Sequence, residues 1–310
     1  MDNKKIIIIS SAAFAVILIA LYLIIASKPD HSKTAPMLNT GQKPQLLAGI
    51  KKLEDEGKIS EAIKLLNELI EKRPDSAQAE EASFMLASIC EKSGDIAKAR
   101  DTYRMITERY PSSEGIANAE KAIGDLNIKI LFSPKIMEGA TIYQIRKGDT
   151  LAAIAKKYGT TVDLISYINS LKDTNIKYGF KLKVPSVKFS IVVDKSQNIL
   201  TLNGDGNMVK TYRASTGSNN STPTGKFVIT NRISDPTWYT TGAVVPPSSA
   251  NNILGTRWLG ISKKGFGIHG TTEPEKIGQS VTSGCVRLAN PDVEELYMIV
   301  PEGTEVVIVD

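Results

Sequence analysis

The chain has 310 residues, of which 42% are hydrophobic and 23% are charged, and its formal net charge is +5. These values are typical of globular protein with two or three small domains, and the mild positive charge only weakly favours an anionic surface. The sequence lacks the basic runs interleaved with aromatic residues that are typical of nucleic-acid binding. The two cysteines and two histidines are scattered along the chain. This excludes a disulfide framework and the ligand spacing of a zinc site, so we expect no metal.

An apolar run without charges fills residues 6–26, directly after Lys4 and Lys5. A helix of this length extends about 31 Å at about 1.5 Å per residue, which matches the ~30 Å core of a bilayer. A buried core helix would seldom lack a polar face over this length, and the apolar core of a cleaved signal peptide is shorter. We therefore predict an uncleaved, single-pass transmembrane anchor. The two lysines predict that residues 1–5 are cytoplasmic and that the rest of the chain is extracytoplasmic.

Residues 27–44 are polar and contain three prolines, a composition that predicts a flexible linker. His31 lies in this linker. A histidine there is solvated, so His269 is the histidine available to a folded site.

Residues 45–130 show a helical period and an internal repeat. The pattern Gly57-x-Ile59-x-x-Ala62 returns 37 positions later as Gly94-x-Ile96-x-x-Ala99. This spacing resembles that of tetratricopeptide repeats. Helices are predicted over residues 45–56, 60–72, 76–92, 96–109 and 113–130, the last of them capping the array. A protein-binding groove and a spacer that lifts the later domains off the membrane are equally consistent with this pattern. Cys90 lies on an apolar helix and is expected to be a buried, inert thiol.

Residues 141–185 are predicted to form a strand, two short helices and a second strand. The segment YQIRKGDTLAAIAKKYG at 143–159, followed by LKVP at 182–185, resembles a LysM domain. That resemblance implies a βααβ fold that binds glycans containing N-acetylglucosamine, mainly peptidoglycan. Glycan contacts are then expected at Gly148, Asp149, Thr150, Asn169 and Ile176.

From residue 188 to residue 310 the chain is rich in short strand patterns. Strands are predicted over residues 189–193, 199–202, 209–214, 225–231, 257–262 and 304–309. A hairpin turn is predicted at 203–206, and Asn290 is predicted to be the N-cap of a helix that ends near residue 299. This density of strands predicts a mainly-β, sandwich-like or barrel-like domain.

His269 and Cys285 are 16 positions apart, and each is next to a glycine. A cysteine nucleophile needs a base because a free thiol is mostly protonated at neutral pH, and histidine supplies one. Gly284 allows a tight turn whose backbone N–H groups would face a developing oxyanion. Arg287 would lie on the same side of an extended strand as Cys285, where it would bind a substrate carboxylate or support the site. A lone cysteine, however, is more often a small buried hydrophobe.

The surrounding motifs carry more information than the pair alone. They are TPTGKF at 222–227, PPSSANNILGTRW at 246–258, HGT at 269–271 and TSGCVRL at 282–288. Together they resemble YkuD-type L,D-transpeptidases over about residues 189–310. Ser283 stands where many members of that family carry histidine, so no second imidazole is expected in this site.

The resemblance implies that Cys285 is the nucleophile and His269 the general base and acid, oriented by the backbone carbonyl of Gly270. Substrate contacts are expected at Thr271, Ser283 and Trp258. In this chemistry the thiolate attacks the third residue of a peptidoglycan tetrapeptide stem and expels D-alanine. An amine of another stem then attacks the thioester and forms a 3→3 cross-link. The family's reaction needs no metal or organic cofactor.

Three alternatives remain open at this point. Water as the acceptor would make the protein an L,D-carboxypeptidase. A sortase-like Cys–His–Arg enzyme is a second alternative, which the tight Ser-Gly-Cys-x-Arg cluster disfavours. A non-catalytic wall-binding scaffold is the third, with the LysM module and the helical repeats as its active parts. The expected partners are peptidoglycan, the membrane and a protein bound by the repeats.

Overall fold

The computed structural model describes residues 43–135 and 140–310. The predicted anchor at 6–26, the predicted cytoplasmic residues 1–5 and nearly all of the predicted linker lie outside this described part. Within it, no helix combines the length and apolar character needed to cross a membrane. The first described element is helix α1 (Lys43–Asp55), and Leu53–Asp310 forms one compact unit. The description below concerns that unit.

Four antiparallel helices form the repeat region, and their bounds are α2 (Ile59–Lys72), α3 (Ala77–Lys92), α4 (Ile96–Arg109) and α5 (Ile116–Phe132). The repeated Ala62 and Ala99 are fully buried, and their small side chains let neighbouring helices approach closely. The repeated Gly57 and Gly94 have φ values of 75° and 82°, the left-handed conformation that ends a helix. The predicted tetratricopeptide-like region is thus present. Helix α5 begins three residues later than predicted because Ser113 closes a turn by accepting the Gly115 N–H.

The LysM-like module has the predicted βααβ order, with β1 (Ala140–Gln144), α6 (Leu151–Tyr158), α7 (Val162–Ile168) and β2 (Lys181–Pro185). The two strands pair antiparallel, and Tyr143 faces Leu182. Thr150 and Thr161 cap the two helices through their hydroxyl oxygens, and Gly159 ends α6 at φ 63°. These local capping signals explain why the secondary structure of the module could be predicted from its sequence.

The last module is built on one mixed sheet of eight strands. Its strands, in sheet order, are β13 (Val286–Arg287), β11 (Gly267–His269), β10 (Arg257–Ile261), β7 (Gly225–Ser234), β14 (Glu305–Val309), β3 (Phe189–Asp194), β4 (Ile199–Gly204) and β5 (Asn207–Arg213). The β4–β5 turn contains Asp205 and Gly206 at φ 50° and 83°, as the predicted hairpin requires. Four short strands complete the module and pair two by two: β6 (Thr216–Gly217) with β12 (Ser280–Thr282), and β8 (Trp238–Thr240) with β9 (Ala243–Val245).

The mainly-β class is confirmed. Of the two predicted forms, sandwich-like and barrel-like, the described residues show one large sheet with no second large sheet packed on it. Helix α8 (Asn290–Ile299) covers the buried face of the sheet instead. Its Val293, Leu296 and Ile299 belong to the same apolar core as the strand residues. The helix therefore supplies the apolar layer that a second sheet would have supplied.

Polar contacts join the three modules of this unit. Helix α5 lies along edge strand β5, where Asn127 Nδ2 donates to the Val209 carbonyl at 2.8 Å. The LysM-like module contacts the last module through the Thr161 hydroxyl, which donates to the Met298 carbonyl. It also contacts the end of α5, because Lys183 Nζ donates to the Ser133 carbonyl at 2.5 Å. The module is thus held on two sides.

Candidate active site

The predicted catalytic residues lie on one face of the sheet edge formed by β10, β11 and β13. Strands β11 and β13 are parallel, with His269 beside Arg287, and β10 places Trp258 beside His269 on the other side. Ile268 and Val286 point into the core, so the residues that alternate with them face the opposite side. A cavity of about 610 Å³ opens there, and it contains both Cys285 and His269 in its lining.

His269 is held in one orientation. Its ring is 2% exposed, and Nδ1 lies 2.7 Å from the Gly270 carbonyl oxygen. Because a carbonyl only accepts, this contact assigns the proton to Nδ1 and leaves the Nε2 lone pair free. The Trp258 ring stacks on the imidazole with centroids 5.9 Å apart and planes 19° apart. The expectation for Gly270, taken from family resemblance, matches this geometry.

The same burial makes His269 hard to charge. Burial lowers the pKa of His269 to about 4, and the nearby Arg287 guanidinium adds to the effect. Hydrogen bonds to the backbone of Gly270 and Leu254 act in the opposite direction and raise the pKa, by less. The imidazole is therefore neutral at physiological pH and available as a base.

Cys285 is a free thiol. Its Sγ lies 3.7 Å from the Gly265 carbonyl oxygen, to which the S–H is a weak donor. Burial raises the pKa of Cys285, while the Gly267 backbone N–H and the Arg287 charge lower it by less. The resting pair is consequently a thiol and a neutral imidazole, not an ion pair. The other free cysteine, Cys90, is buried in α3 as predicted.

Arg287 is buried and fixed by an acidic partner that sequence reasoning missed. Its Nη1 lies 3.0 Å from Glu273 Oε2, and Glu273 also pairs with Lys276. The Arg287 Nε is buried and has no partner. The only sequence signal for Glu273 was an acid shortly after the His-Gly-Thr stretch. Arg287 therefore supports the site through Glu273 and also lines the cavity.

The Gly284 amide is not available as the predicted oxyanion donor in this structure. Its N–H donates to Thr282 Oγ1 at 3.1 Å, and the same hydroxyl donates to the Cys285 carbonyl at 2.7 Å. The predicted tight turn is present, because Gly284 adopts a φ of 128° directly before Cys285. A Cβ at Gly284 would lie 2.7 Å from the Phe266 ring.

Of the three predicted substrate contacts, two line the cavity and one does not. Trp258 and Ser283 line the cavity, whereas Thr271 is 3% exposed and is not among its lining residues. The Thr271 backbone instead bonds to the side chain of Asn290. The prediction that Asn290 caps its own helix is wrong, because Ala289 is the N-cap and the Asn290 amide is directed elsewhere.

A hairpin formed by β8 and β9 borders the cavity, and this segment was not predicted as strands. Trp238, Tyr239 and Thr240 line the cavity, and Tyr239 is 75% exposed. Asn252 ties the ends of the hairpin together by donating to the Pro236 carbonyl at 2.8 Å and the Val245 carbonyl at 3.3 Å. The hairpin has three-residue strands, which are too short to show an alternating pattern.

The predicted glycan contacts of the LysM-like module mostly shape its loops. Asp149 accepts hydrogen bonds from Tyr143 and Arg146, and Thr150 caps a helix. Asn169 bonds to the backbone of Lys183 and Ile165. Ile176 packs on the module's core, while Gly148 is an exposed turn residue at φ 88°.

Sequence reasoning missed two large exposed rings in the same module. Tyr178 is 76% exposed and Phe180 is 62% exposed, and they flank Gly179 just before β2. Exposed aromatic rings of this kind offer flat apolar surface next to a polar edge.

Within residues 43–135 and 140–310, no three or more His, Cys, Asp or Glu side chains are grouped so that they could hold a metal ion.

Comparison with known protein families matches each module. Residues 188–308 match the L,D-transpeptidase catalytic domain, residues 143–185 the LysM domain and residues 53–123 the tetratricopeptide repeat. A Bacillus subtilis protein named as a candidate L,D-transpeptidase, YkuD, is 34% identical over 173 residues, which cover 54% of this chain and 97% of that protein. The chain belongs to the YkuD family of L,D-transpeptidases.

Other L,D-transpeptidases align over smaller shares of their length. A second candidate L,D-transpeptidase of Bacillus subtilis, YqjB, is 35% identical over 126 residues, which cover 39% of this chain and 70% of that protein. A crystal structure of an L,D-transpeptidase from Mycobacterium tuberculosis H37Rv has 20% sequence identity and a TM-score of 0.35, covering 42% of this chain and 64% of that one. The three family matches and the YkuD relative make the chain an L,D-transpeptidase with tetratricopeptide-like repeats and a LysM domain before its catalytic domain.

Proposed function

We propose that this L,D-transpeptidase forms 3→3 cross-links in peptidoglycan through an acyl-enzyme on Cys285. The observation that supports it best is the neutral His269, fixed through Nδ1 to the Gly270 carbonyl, in the same cavity as the Cys285 thiol. A base that must take a thiol proton needs a free lone pair, and the fixed tautomer provides it at Nε2.

In the first half-reaction, Cys285 Sγ attacks the carbonyl carbon of the third stem residue while its proton moves to His269 Nε2. The tetrahedral intermediate collapses, the bond to D-alanine breaks, and the imidazolium returns the proton to the leaving amine. In the second half-reaction, a side-chain amine of another stem attacks the thioester, and His269 accepts its proton and returns it to the thiol. Each proton is accounted for without a cofactor.

The pKa directions at the site favour proton transfer coupled to attack. A resting ion pair would place an imidazolium in a buried position beside Arg287, and burial also disfavours the thiolate. The thiol proton then moves to Nε2 as the C–S bond forms, and the negative charge develops on the substrate carbonyl oxygen. Arg287, whose Nε lacks a partner, would meet the carboxylate of the stem peptide in the cavity.

The remaining parts of the chain would determine where the enzyme is located. We propose that residues 6–26 anchor the chain in the cell membrane with residues 1–5 in the cytoplasm, so that the catalytic module faces the wall. The LysM domain would bind glycan strands of peptidoglycan, and the exposed Tyr178 and Phe180 would add to its binding face. The tetratricopeptide-like repeats would bind a protein partner or act as a spacer.

Incubation of the full-length protein with disaccharide tetrapeptide muropeptides tests the proposal. We expect cross-linked dimers and free D-alanine, detected by mass spectrometry. Tripeptide monomers without dimers would replace the transferase proposal with L,D-carboxypeptidase activity. Cys285→Ala should abolish both products and retain binding to isolated cell walls. If this variant keeps full turnover, the protein acts only as a wall-binding scaffold.

A further inference from the structure

Asn290 is the first residue of α8, yet its side chain does not serve that helix. Its Oδ1 accepts the Thr271 N–H at 2.9 Å, and its Nδ2 donates to the Thr271 carbonyl at 2.8 Å. A longer contact of 3.4 Å joins Oδ1 to the Thr256 N–H. One amide thus grips both backbone groups of Thr271.

The Thr271 N–H and the Gly270 C=O belong to the same peptide unit. That unit is planar and trans, so its N–H and C=O point in opposite directions. When Asn290 holds the N–H on one side, the carbonyl must point to the other side, where His269 Nδ1 lies at 2.7 Å. Asn290 therefore sets the orientation of the catalytic base indirectly, through two hydrogen bonds on opposite sides of the Gly270–Thr271 peptide.

The backbone around this amide leaves room for it. A Cβ at Gly270 would lie 2.2 Å from Asn290 Oδ1, and a Cβ at Gly255 would lie 2.3 Å from the same atom. Gly270 directly follows β11 and Gly255 precedes β10, so the two glycines border the Asn290 amide from different segments. A side chain at either position would displace this amide.

We propose that Asn290 is a positioning residue for the catalytic base. It fixes the Gly270–Thr271 peptide so that the carbonyl accepts the Nδ1 proton of His269, and so it keeps Nε2 unprotonated for the thiol. Without Asn290 the peptide can rotate, the Nδ1–H loses its acceptor, and the imidazole populates the Nε2–H tautomer, which cannot take the Cys285 proton.

The test uses the full chain labelled with ¹⁵N-histidine. The sequence contains only His31 and His269, and His31→Gln leaves a single imidazole to observe. Imidazole ¹⁵N chemical shifts report which nitrogen carries the proton, independently of any substrate. We expect the Nδ1–H tautomer in the parent chain and a mixture of tautomers in Asn290→Ala. Asn290→Asp, which keeps the acceptor but loses the donor, should fall between them.

Kinetics give the second measurement, and this part rests on the proposed function. Asn290→Ala should lower kcat by about 10- to 100-fold, the range found for residues that orient metal-bound imidazoles, with KM within about twofold. Asn127→Ala, which loses a side-chain amide at the contact of α5 with β5, is the matched control and should keep the parent kcat.

The proposal is overturned if folded Asn290→Ala keeps the Nδ1–H tautomer, or if its tautomer changes while kcat does not. Should Asn290→Ala fail to fold, Asn290→Asp is judged by the same two criteria. Because the tautomer is measured without peptidoglycan, an error in the proposed substrate leaves that arm of the test intact.

Discussion

In the proposed mechanism, the base is a histidine that the protein keeps uncharged. Many thiol enzymes increase reactivity by stabilising a thiolate beside a cationic group. Here burial lowers the pKa of His269 to about 4 and raises the pKa of Cys285, so both partners rest in their neutral forms. A neutral thiol also reacts slowly with oxidants, because the thiolate is the reactive species.

The lowered pKa of His269 predicts the acid limb of the reaction. The base acts only when deprotonated, so a lower pKa extends activity to lower pH. We expect kcat/KM to stay level from pH 7 down to about pH 5 and to fall below the pKa of about 4. Far-UV circular dichroism at each pH controls for unfolding. An acid limb near 6.5, the ordinary pKa of histidine, would contradict the buried, neutral state.

The raised pKa of Cys285 predicts how the thiol reacts with iodoacetamide. In a Cys90→Ala background only Cys285 remains to be alkylated. Its alkylation rate should climb about tenfold per pH unit through the neutral range and reach no plateau below pH 9, because the thiolate is the nucleophile. A plateau already present at pH 6 would mark a resting thiolate–imidazolium pair and refute the neutral one.

Among the elements, the turn before β13 decides where the thiol lies. Gly284 has a φ of 128°, and a Cβ there would approach the Phe266 ring to 2.7 Å and the Ser221 carbonyl oxygen to 3.0 Å. Ser218 also contacts this turn, since its hydroxyl donates to the Thr282 carbonyl at 3.3 Å. The turn is thus packed between two loops, and its shape cannot adapt to a side chain.

Gly284→Ala should therefore lower kcat by about 10²-fold or more, since a displacement near 1 Å has that effect on catalysis. Backbone strain should also reduce the free energy of unfolding by about 1–3 kcal/mol. Gly303→Ala separates the two effects. Gly303 has a φ of 86° and no atom within 4 Å of the position that a Cβ would take. Alanine there would introduce backbone strain without a steric clash. Equal kcat values for the two variants would contradict a positional role of the turn.

Local signals explain which elements were predictable from the sequence. The repeat helices and the LysM-like module were, because alanines, glycines and hydroxyl caps lie within a few residues of the structure they specify. Strands β8 and β9 were not predictable, because each has only three residues and its extended conformation depends on pairing with the other. The motif resemblance singled out Cys285 and His269, which line one cavity. The roles of Asn290 and Glu273 depend on contacts between distant residues, which no local pattern encodes.

At the scale of the whole molecule, the LysM-like module is fixed to the catalytic module and is not a free tether. Arg232 in β7 pairs with Asp163 at 2.7 Å and donates to the Tyr297 carbonyl at 2.6 Å. The Thr161 hydroxyl, which is buried, bridges the Leu164 N–H of its own module and the Met298 carbonyl of α8. A glycan bound by one module would then meet the catalytic cavity at a fixed spacing.

This arrangement predicts a substrate-dependent effect of breaking the contact. Thr161→Val removes the hydroxyl with little change of shape, so the Met298 carbonyl loses its donor and α7 loses its cap, at about 1 kcal/mol each. Activity on polymeric cell wall should fall by about three- to tenfold, a loss of about 1 kcal/mol in the orientation of a tethered substrate. Activity on soluble tetrapeptide should stay within about twofold, because that substrate does not engage the LysM-like module.

Two further variants separate the contact from the cap. Thr161→Ser keeps the hydroxyl and should behave like the parent on both substrates. Asp163→Asn keeps the cap and weakens the ion pair with Arg232, and it should reproduce part of the loss on polymeric wall. Dimer yields from both substrates, measured by mass spectrometry after matched times, give the ratio for each variant. A Thr161→Val enzyme with the parent ratio of activities would show that the fixed spacing does not matter. The LysM-like module would then act only by raising the local concentration of wall.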